Sequence, residues 1–159
     1  LNLYKKIMKL SVEEFESSLT EYIRTVWCKE DFQVHYIEIE QGKISCLLRT
    51  IIVHEPYLFT AVQTIMWIEK IWWAYCMWEN NLKKLPHGEG YIRELKLKYK
   101  KQIRERNNIQ FALSLKKKIQ KKDYQYHIFD VDVQNGSMIG TVALVFPQGQ
   151  TDISSDEFE

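Results

Sequence analysis

The sequence predicts an α+β domain in which an antiparallel β-sheet wraps around one long, very apolar helix. The run from Leu58 to Trp78 is mostly apolar, and the segments before and after it alternate apolar and polar residues as strands do. An antiparallel sheet commonly buries one face, and a helix that is apolar on nearly all sides must be enclosed on most of them. A curved sheet wrapped around the helix satisfies both requirements.

The composition fits one domain with a sizeable core. The chain has 159 residues, of which 45% are hydrophobic and 13% aromatic. Its formal net charge is +1, from 22 basic and 21 acidic residues, and these totals argue against nucleic-acid binding. The cysteines (Cys28, Cys46 and Cys76) are far apart and form no C-x-x-C motif, which fits a reducing compartment. We therefore expect a cytoplasmic protein without a metal or other cofactor, and the first ten residues contain no secretory signal.

The apolar run from Leu58 to Trp78 is long enough for a transmembrane helix. Glu69 and Lys70 fall near its middle, however, where each charge would cost about 2.5–3.5 kcal/mol on insertion. We therefore expect a helix in the core of a soluble domain, and no membrane span.

Two helices and a hairpin are predicted in the first half of the chain. A capping-box pattern at Ser11, followed by apolar residues at helical spacing, predicts an amphipathic helix over residues 11–28. Phe32 to Glu40 and Ile44 to Val53 are rich in β-forming residues, and the turn between them predicts a hairpin. A second capping box at Thr60 predicts the central helix over about 60–79.

An antiparallel meander and a tail are predicted after the central helix. Asn135-Gly136 lies between two alternating runs and is the strongest hairpin signal in the chain. Residues 148–159 are polar and acidic, so we expect a disordered tail after a single domain over residues 1–147. The predicted strands are Tyr91 to Gln102, Ile109 to Gln120, Tyr124 to Val133 and Met138 to Phe146.

Glu69 is the most informative candidate for chemistry. A carboxylate in the centre of an apolar helix face is costly to bury unless it is paired or protonated. Burial would raise its pKa, as suits a general base, whereas a structural Glu69 would pair with a Lys or Arg of the sheet or reach a dimer surface. The predicted face is otherwise apolar: Val62, Ile65, Met66, Trp72, Trp73 and Cys76.

The start of the central helix is the second candidate. Backbone N–H groups after Thr60, beginning with Ala61, could stabilise the negative oxygen that develops on a carbonyl group under nucleophilic attack. Ile65 lies on the face of Glu69, and we expect Ala61 and Ile65 to contact the substrate. Thr60 and Glu69 are about half a turn out of phase, so they share a site only if Thr60 lies outside the helix or the site spans a dimer interface.

Two further candidates lie in His54-Glu-Pro-Tyr57, just before the helix. Tyr57 could donate a hydrogen bond to a carbonyl, and His54 could act as an acid or base; the structural alternatives are packing for Tyr57 and simple solvation for His54. His87 has no other His or Cys nearby, so a metal site is not expected.

Lys98 and Lys100 belong to a basic stretch on a predicted strand, where alternate residues share a face. That face could bind the phosphates of coenzyme A or an acidic carrier protein. A solvated outer face is the structural alternative.

Three segments carry a resemblance to a known superfamily. They are Phe59-Thr-Ala-Val-Gln-Thr-Ile-Met-Trp-Ile-Glu69, then Tyr99-Lys-Lys-Gln-Ile103 leading into Ile109-Gln-Phe-Ala-Leu113, and Phe129-Asp-Val-Asp-Val-Gln-Asn-Gly-Ser-Met-Ile-Gly140. From about Phe32 to Phe146 the chain resembles the hotdog superfamily, most closely the FcoT-type long-chain fatty acyl-CoA thioesterases. Cystatin-like and NTF2-like folds also wrap a sheet around helices and are the alternatives.

The resemblance implies a homodimer or higher homo-oligomer that binds an acyl chain beside the central helix. The FcoT-type enzymes are thought to use tyrosine and asparagine side chains around the helix start. Thr60 and Glu69 occupy two positions where that family has asparagine, and Tyr57 matches the tyrosine if the preceding loop is a few residues shorter here. Glu69 would supply the base that the family lacks.

The related hydroxyacyl-carrier-protein dehydratases carry a histidine at a similar distance before a helix glutamate as His54 before Glu69, 15 residues (69 − 54). His54-Glu-Pro-Tyr-Leu-Phe59, however, is more similar to a segment upstream of that histidine. The expected function is therefore hydrolysis of an acyl-CoA or acyl-carrier-protein thioester. Glu69 would activate water, the amides after Thr60 would hold the oxyanion, and Tyr57 would orient the carbonyl. Dehydration of a 3-hydroxyacyl thioester by His54 and Glu69, and non-catalytic acyl binding, are the alternatives.

Overall fold

The computed structural model of this chain describes residues 8–9, 32–50, 61–80 and 90–147. The predicted helix over 11–28 and the predicted tail over 148–159 lie outside these residues. Within them the chain forms one α-helix, α1 (Ala61–Glu79), and one sheet of seven strands. The strands are β1 (Met8–Lys9), β2 (Phe32–Glu40), β3 (Lys43–Thr50), β4 (Tyr91–Tyr99), β5 (Ile109–Gln120), β6 (Tyr124–Val133) and β7 (Met138–Pro147).

The strand order across the sheet is β1-β2-β3-β5-β6-β7-β4, and every neighbouring pair is antiparallel. The prediction of a continuous meander from β4 to β7 is therefore wrong. Only β5, β6 and β7 follow one another in this way, while β4 pairs with β7 at the far edge and β5 pairs with β3. The reason is the position of α1, which lies between β3 and β4 in the chain and packs on one face of the sheet, so that β4 begins beyond β7.

Both glycine-containing turns predicted from the sequence are present. Gly42 joins β2 to β3 with a φ of 80°, and Gly136 joins β6 to β7 with a φ of 85°. The second turn also places Gln134 and Asn135 in the left-handed region, and the Asp132 carboxylate accepts a hydrogen bond of 2.7 Å from the Gly136 N–H. Gln134 and Asn135 therefore both adopt the left-handed backbone conformation, which is unfavourable for residues that carry a side chain.

The strand β4 ends at Tyr99, three residues before the predicted end at Gln102. The backbone N–H groups of Lys100 and Lys101 both donate to the Ser137 carbonyl oxygen, at 2.7 and 3.2 Å. The chain bends there because both donors turn towards the loop between β6 and β7.

The core lies between α1 and the inner face of the sheet. Trp72 of α1 is fully buried and stacks on Phe129 of β6, with ring centroids 4.4 Å apart. Alternate residues of β6 and β7 face the helix and are buried, and in β7 the outer-face residues Ala143 and Val145 are buried as well. This inner row consists of His127, Phe129, Val131, Val133, Met138, Val142, Leu144 and Phe146.

The helix itself differs from the expected long apolar helix. It has 19 residues and is interrupted by polar groups: Thr64 and Lys70 are buried and Glu69 is partly exposed. The buried hydroxyl of Thr64 donates a hydrogen bond to the Met138 sulfur at 3.3 Å, which offsets part of the free-energy cost of burying it. Within the described residues no helix is both long enough and apolar enough to span a membrane.

Candidate functional site

Glu69 is the one partly exposed residue in a buried stretch of α1, from Trp67 to Cys76. Every residue from Trp67 to Cys76 is buried except Glu69, which is partly exposed. Its neighbours in the chain, Ile68 and Lys70, are 0% and 1% exposed, so the contrast is local. Glu69 is therefore partly exposed rather than buried in the centre of an apolar face.

The other predicted residues of the helix lie on the N-terminal side of Glu69. Ile65 is partly exposed and lies one turn before it on the same side of α1. Ala61 is the first residue of the helix. Eight residues separate Ala61 from Glu69, about 12 Å along the axis at a rise of 1.5 Å per residue. Tyr57, Thr60 and His54 fall outside the described residues.

The sheet separates Lys98 from Glu69 within one chain. Lys98 pairs with Ile139, and alternation places both on the face of the sheet opposite to α1. Lys100 lies in the bend after β4, and both lysines are exposed. The structure thus brings Lys98 and Lys100 together at one end of β4, on the other side of the sheet from Glu69.

A buried polar cluster that the sequence analysis did not single out lies next to Trp72. The Trp72 indole N–H donates to Nδ1 of His127 at 2.8 Å, and Nε2 of His127 lies 2.9 Å from Oε1 of Gln125. His127 is 2% exposed. One sequence signal could have found it, since His127 has the same parity in β6 as Phe129, Val131 and Val133 and must therefore face the core.

Cys76 lies one turn after Trp72 and approaches the same histidine, with Sγ 3.9 Å from Nδ1 of His127. A cysteine beside a histidine is the arrangement of a thiol nucleophile when the thiol ionises. Burial, however, raises the pKa of the Cys76 thiol far above its ordinary value of 9.0. Cys76 is therefore a protonated core residue and not a nucleophile.

A second network ties the end of α1 to the sheet. The Tyr75 hydroxyl accepts a hydrogen bond from the Gly42 N–H at 2.6 Å and donates one to Glu79 Oε2 at 3.1 Å. Lys118 of β5 makes an ion pair with the other carboxylate oxygen of Glu79 at 3.0 Å. Since each polar group in it has a partner, this network is structural.

Lys70 is the remaining buried charge on the helix. It is 1% exposed, and its Nζ lies 4.9 Å from the centre of the Trp67 ring, a cation–π distance. In the parts of the chain that are described, no three His, Cys, Asp or Glu side chains cluster as metal ligands would.

No family model and no curated protein matches the sequence. Among solved structures, the chain is similar to a candidate thioesterase from a Silicibacter species, with a TM-score of 0.58, 10% identity, and coverage of 90% of this chain and 95% of that one. It is also similar to a mutant thioesterase from Pseudomonas aeruginosa, with a TM-score of 0.55, 9% identity, and coverage of 87% and 94%.

A third similar structure is a dehydratase heterocomplex from Xenorhabdus doucetiae, with a TM-score of 0.54, 8% identity, and coverage of 93% of this chain and 98% of that one. Similarity at 8–10% identity shows the fold. This chain has the hotdog fold found in thioesterases.

Proposed function

We propose that this protein hydrolyses acyl thioesters and that Glu69 activates the attacking water. The observation that carries the proposal is the exposure of Glu69 in a stretch of α1 that is otherwise buried. A partly exposed carboxylate can take a proton from a water molecule, and the acyl chain could contact apolar residues near it, such as Ile65. The fold shared with two thioesterase structures supports the same reaction.

The backbone N–H groups at the start of α1, from Ala61 onward, are proposed to hold the oxyanion. The N–H groups of the first turn of a helix have no partner within the helix, and the helix dipole favours negative charge there. Because Ala61 and Glu69 are about 12 Å apart along the helix axis, they do not act on one carbonyl within a single chain. We therefore propose a homodimer in which the helix start of one copy, with Tyr57 and Thr60, meets Glu69 of the other.

The proposed substrate is a fatty acyl thioester of coenzyme A or of a carrier protein. Ile65, partly exposed beside Glu69, would contact the acyl chain. Lys98 and Lys100 are exposed cations close together in the chain, and they would bind the phosphates of the thiol carrier. Within one chain the sheet separates them from Glu69, so this role also requires the proposed dimer.

Dehydration of a 3-hydroxyacyl thioester is the second candidate, since one similar structure is a dehydratase heterocomplex. That reaction needs a histidine as acid or base in addition to Glu69. His127 does not fit this role, because it is 2% exposed and both its ring nitrogens are engaged. The dehydratase hypothesis assigns this role to His54.

The test is thiol release from saturated, enoyl and 3-hydroxyacyl-CoA substrates, measured for the wild type, Glu69→Gln and Glu94→Gln. Glu94 is an exposed carboxylate of β4 and serves as the matched control. We expect Glu69→Gln to lower the rate at least about a hundredfold, as loss of a general base does, and Glu94→Gln to leave it unchanged.

Other outcomes separate the alternatives. Hydration of enoyl-CoA without thiol release would replace hydrolysis by dehydration. Binding of an acyl-CoA that survives Glu69→Gln, with no turnover of any substrate, would indicate a non-catalytic acyl-binding domain.

A further inference from the structure

Asn135, in the turn between β6 and β7, stands next to the backbone nitrogen best placed to attack its side chain. Of the six asparagines in the sequence, only Asn135 is followed by glycine. Asn135 is exposed. Apart from the neighbours in the chain, no heavy atom of the described residues lies within 4 Å of the position of a β-carbon on Gly136. Approach to the Gly136 nitrogen is therefore not blocked by a side chain.

The reaction that this pair of residues allows is deamidation through a cyclic imide. The Gly136 nitrogen gives up its proton and forms a bond to Cγ of Asn135. The bond from Cγ to the side-chain nitrogen breaks, and that nitrogen leaves with a proton as ammonia. Water then opens the imide, either at Cγ to give aspartate or at the backbone carbon to give isoaspartate, in which the chain runs through Cγ. One water is consumed and one ammonia released, so the reaction needs no other reactant.

The folded turn opposes this reaction at the attacking nitrogen. The Gly136 N–H donates a hydrogen bond of 2.7 Å to Oδ1 of Asp132. Loss of the proton would leave a negative nitrogen beside a carboxylate oxygen, so a charge-assisted hydrogen bond would be replaced by repulsion between like charges. Asp132 therefore holds the nitrogen in a form that does not attack.

Further hydrogen bonds fix the backbone on both sides of Asn135. The Asn135 N–H donates to Oε1 of Gln110 at 3.1 Å, and the Ser137 N–H donates to the Gln134 carbonyl oxygen at 3.1 Å. These contacts hold Gln134 and Asn135 at φ values of 53° and 51°, which are unfavourable for residues with a side chain. Breaking the contacts releases this strain, so an opened turn does not simply return Asn135 to the protected geometry.

We propose that Asn135-Gly136 is a latent deamidation site that Asp132 protects, and that conversion to isoaspartate releases the bend after β4. The Ser137 carbonyl oxygen accepts hydrogen bonds from the backbone N–H groups of Lys100 and Lys101, at 2.7 and 3.2 Å. Isoaspartate adds a carbon to the backbone of a turn that spans only residues 134–137. The added carbon displaces Ser137, and with it the acceptor that holds the bend.

The first test follows deamidation of the folded protein at about pH 8 by peptide mass mapping in the wild type, Asp132→Ala and Asp130→Ala. Asp130 is an exposed carboxylate two residues earlier on the same face of β6, so it is the matched control for a lost charge. We expect Asp132→Ala to convert Asn135 at least about tenfold faster than the wild type, because a charge-assisted hydrogen bond is lost, and Asp130→Ala to match the wild type. An unchanged or slower rate in Asp132→Ala overturns the inference.

The second test uses the wild type alone, so it remains decisive if Asp132→Ala does not fold. Asn108 is the internal control: it is exposed and has a φ of 53°, but the residue after it is the β-branched Ile109. In urea the contact between Asp132 and Gly136 is lost. We then expect Asn135 to convert at least about tenfold faster than in the folded protein, and faster than Asn108. Equal rates at Asn135 with and without urea contradict protection by the fold.

A third measurement examines the bend after β4. In the purified isoaspartate form, hydrogen exchange of the Lys100 and Lys101 amides should be faster than in the unmodified protein, while amides in the middle of β6 keep their rates. Unchanged exchange at both lysines would show that the bend does not depend on the turn. None of these measurements uses a substrate, so their outcomes are independent of the proposed hydrolysis.

Discussion

Gly140 of β7 passes so close to the backbone of Lys96 in β4 that a β-carbon on residue 140 would overlap the Lys96 carbonyl oxygen. The same β-carbon would lie 2.8 Å from a methyl carbon of Leu97, which is opposite Gly140 in the register. The glycine thus allows the edge strand to pack closely on β7.

We expect Gly140→Ala to lower the free energy of unfolding by about 3 kcal/mol, because backbone atoms cannot move aside as a flexible side chain can. Gly136→Ala is the matched control: its φ of 85° strains an alanine, but nothing lies within 4 Å of the added carbon. Strain alone should cost about 1–2 kcal/mol. Urea unfolding that ranks the two variants equally would contradict the close approach of β4 and β7.

Removing the hydroxyl of Tyr75 should destabilise the protein. Tyr75→Phe leaves the Gly42 N–H without its acceptor and takes a donor from Glu79. An unsatisfied polar group of this kind costs about 1–3 kcal/mol in unfolding experiments. Tyr91→Phe, at a side chain that is 47% exposed, should change stability by less than about 0.5 kcal/mol.

The buried hydroxyl of Tyr75 should also make the stability of the fold decrease at high pH. Burial is the main cause that raises the pKa of Tyr75 well above its ordinary value of 10.0. Above about pH 10 the unfolded chain therefore releases a proton that the folded chain keeps, and stability falls with rising pH by up to about 1.4 kcal/mol per unit. Unfolding of Tyr75→Phe measured between pH 9 and pH 11 should lack this component, and an unchanged slope would contradict it.

The thiols of Cys46 and Cys76 should resist alkylation in the folded protein. They are 2% and 5% exposed, and burial raises both pKa values far above 9.0. In a Cys28→Ser background at pH 8, we expect labelling of the folded protein at least about a hundredfold slower than labelling in urea, followed by mass spectrometry. Rapid labelling of either cysteine without denaturant would show that the core opens there.

If coenzyme A is the carrier, Lys98 and Lys100 should affect binding more than turnover. Their combined replacement by alanine should raise KM for an acyl-CoA about tenfold, through lost charge-assisted contacts to phosphate, and leave kcat nearly unchanged. An acyl-pantetheine substrate lacks the nucleotide phosphates and should respond little. Lys122→Ala, at an exposed lysine of the β5–β6 turn, is the control, and an equal effect of that change would assign the result to general surface charge.

Local patterns predicted the strands well. The bounds of β2, β5 and β6 are those expected from the sequence, because each strand alternates and is flanked by turn residues. The place of β4 in the sheet could not be predicted in this way. Pairing of β4 with β7 depends on the path of α1 across the sheet and on the close approach at Gly140, and neither is a local property.

The candidate site was predicted in part. The helix pattern identified Glu69 as an unusual carboxylate, but it did not predict that Glu69 is partly exposed while its neighbours Ile68 and Lys70 are buried. The parity that makes His127 face inward was visible in the alternation of β6. Its partner Trp72 lies 55 residues away in the chain, so their hydrogen bond required the three-dimensional structure.

The pairing of β3 with β5 has a consequence for how the chain folds. Cys46 is opposite Phe111, so all of α1 and β4 must be made and looped out before these two strands can join. The β2–β3 hairpin and the β5–β6–β7 meander can each form from neighbouring residues, whereas their union is non-local and should be the slow step. During synthesis the edge of β3 stays unpaired until β5 has been made. Another nascent chain can form backbone hydrogen bonds with an unpaired strand edge. Aggregation of this protein should therefore compete with folding at the β3 edge.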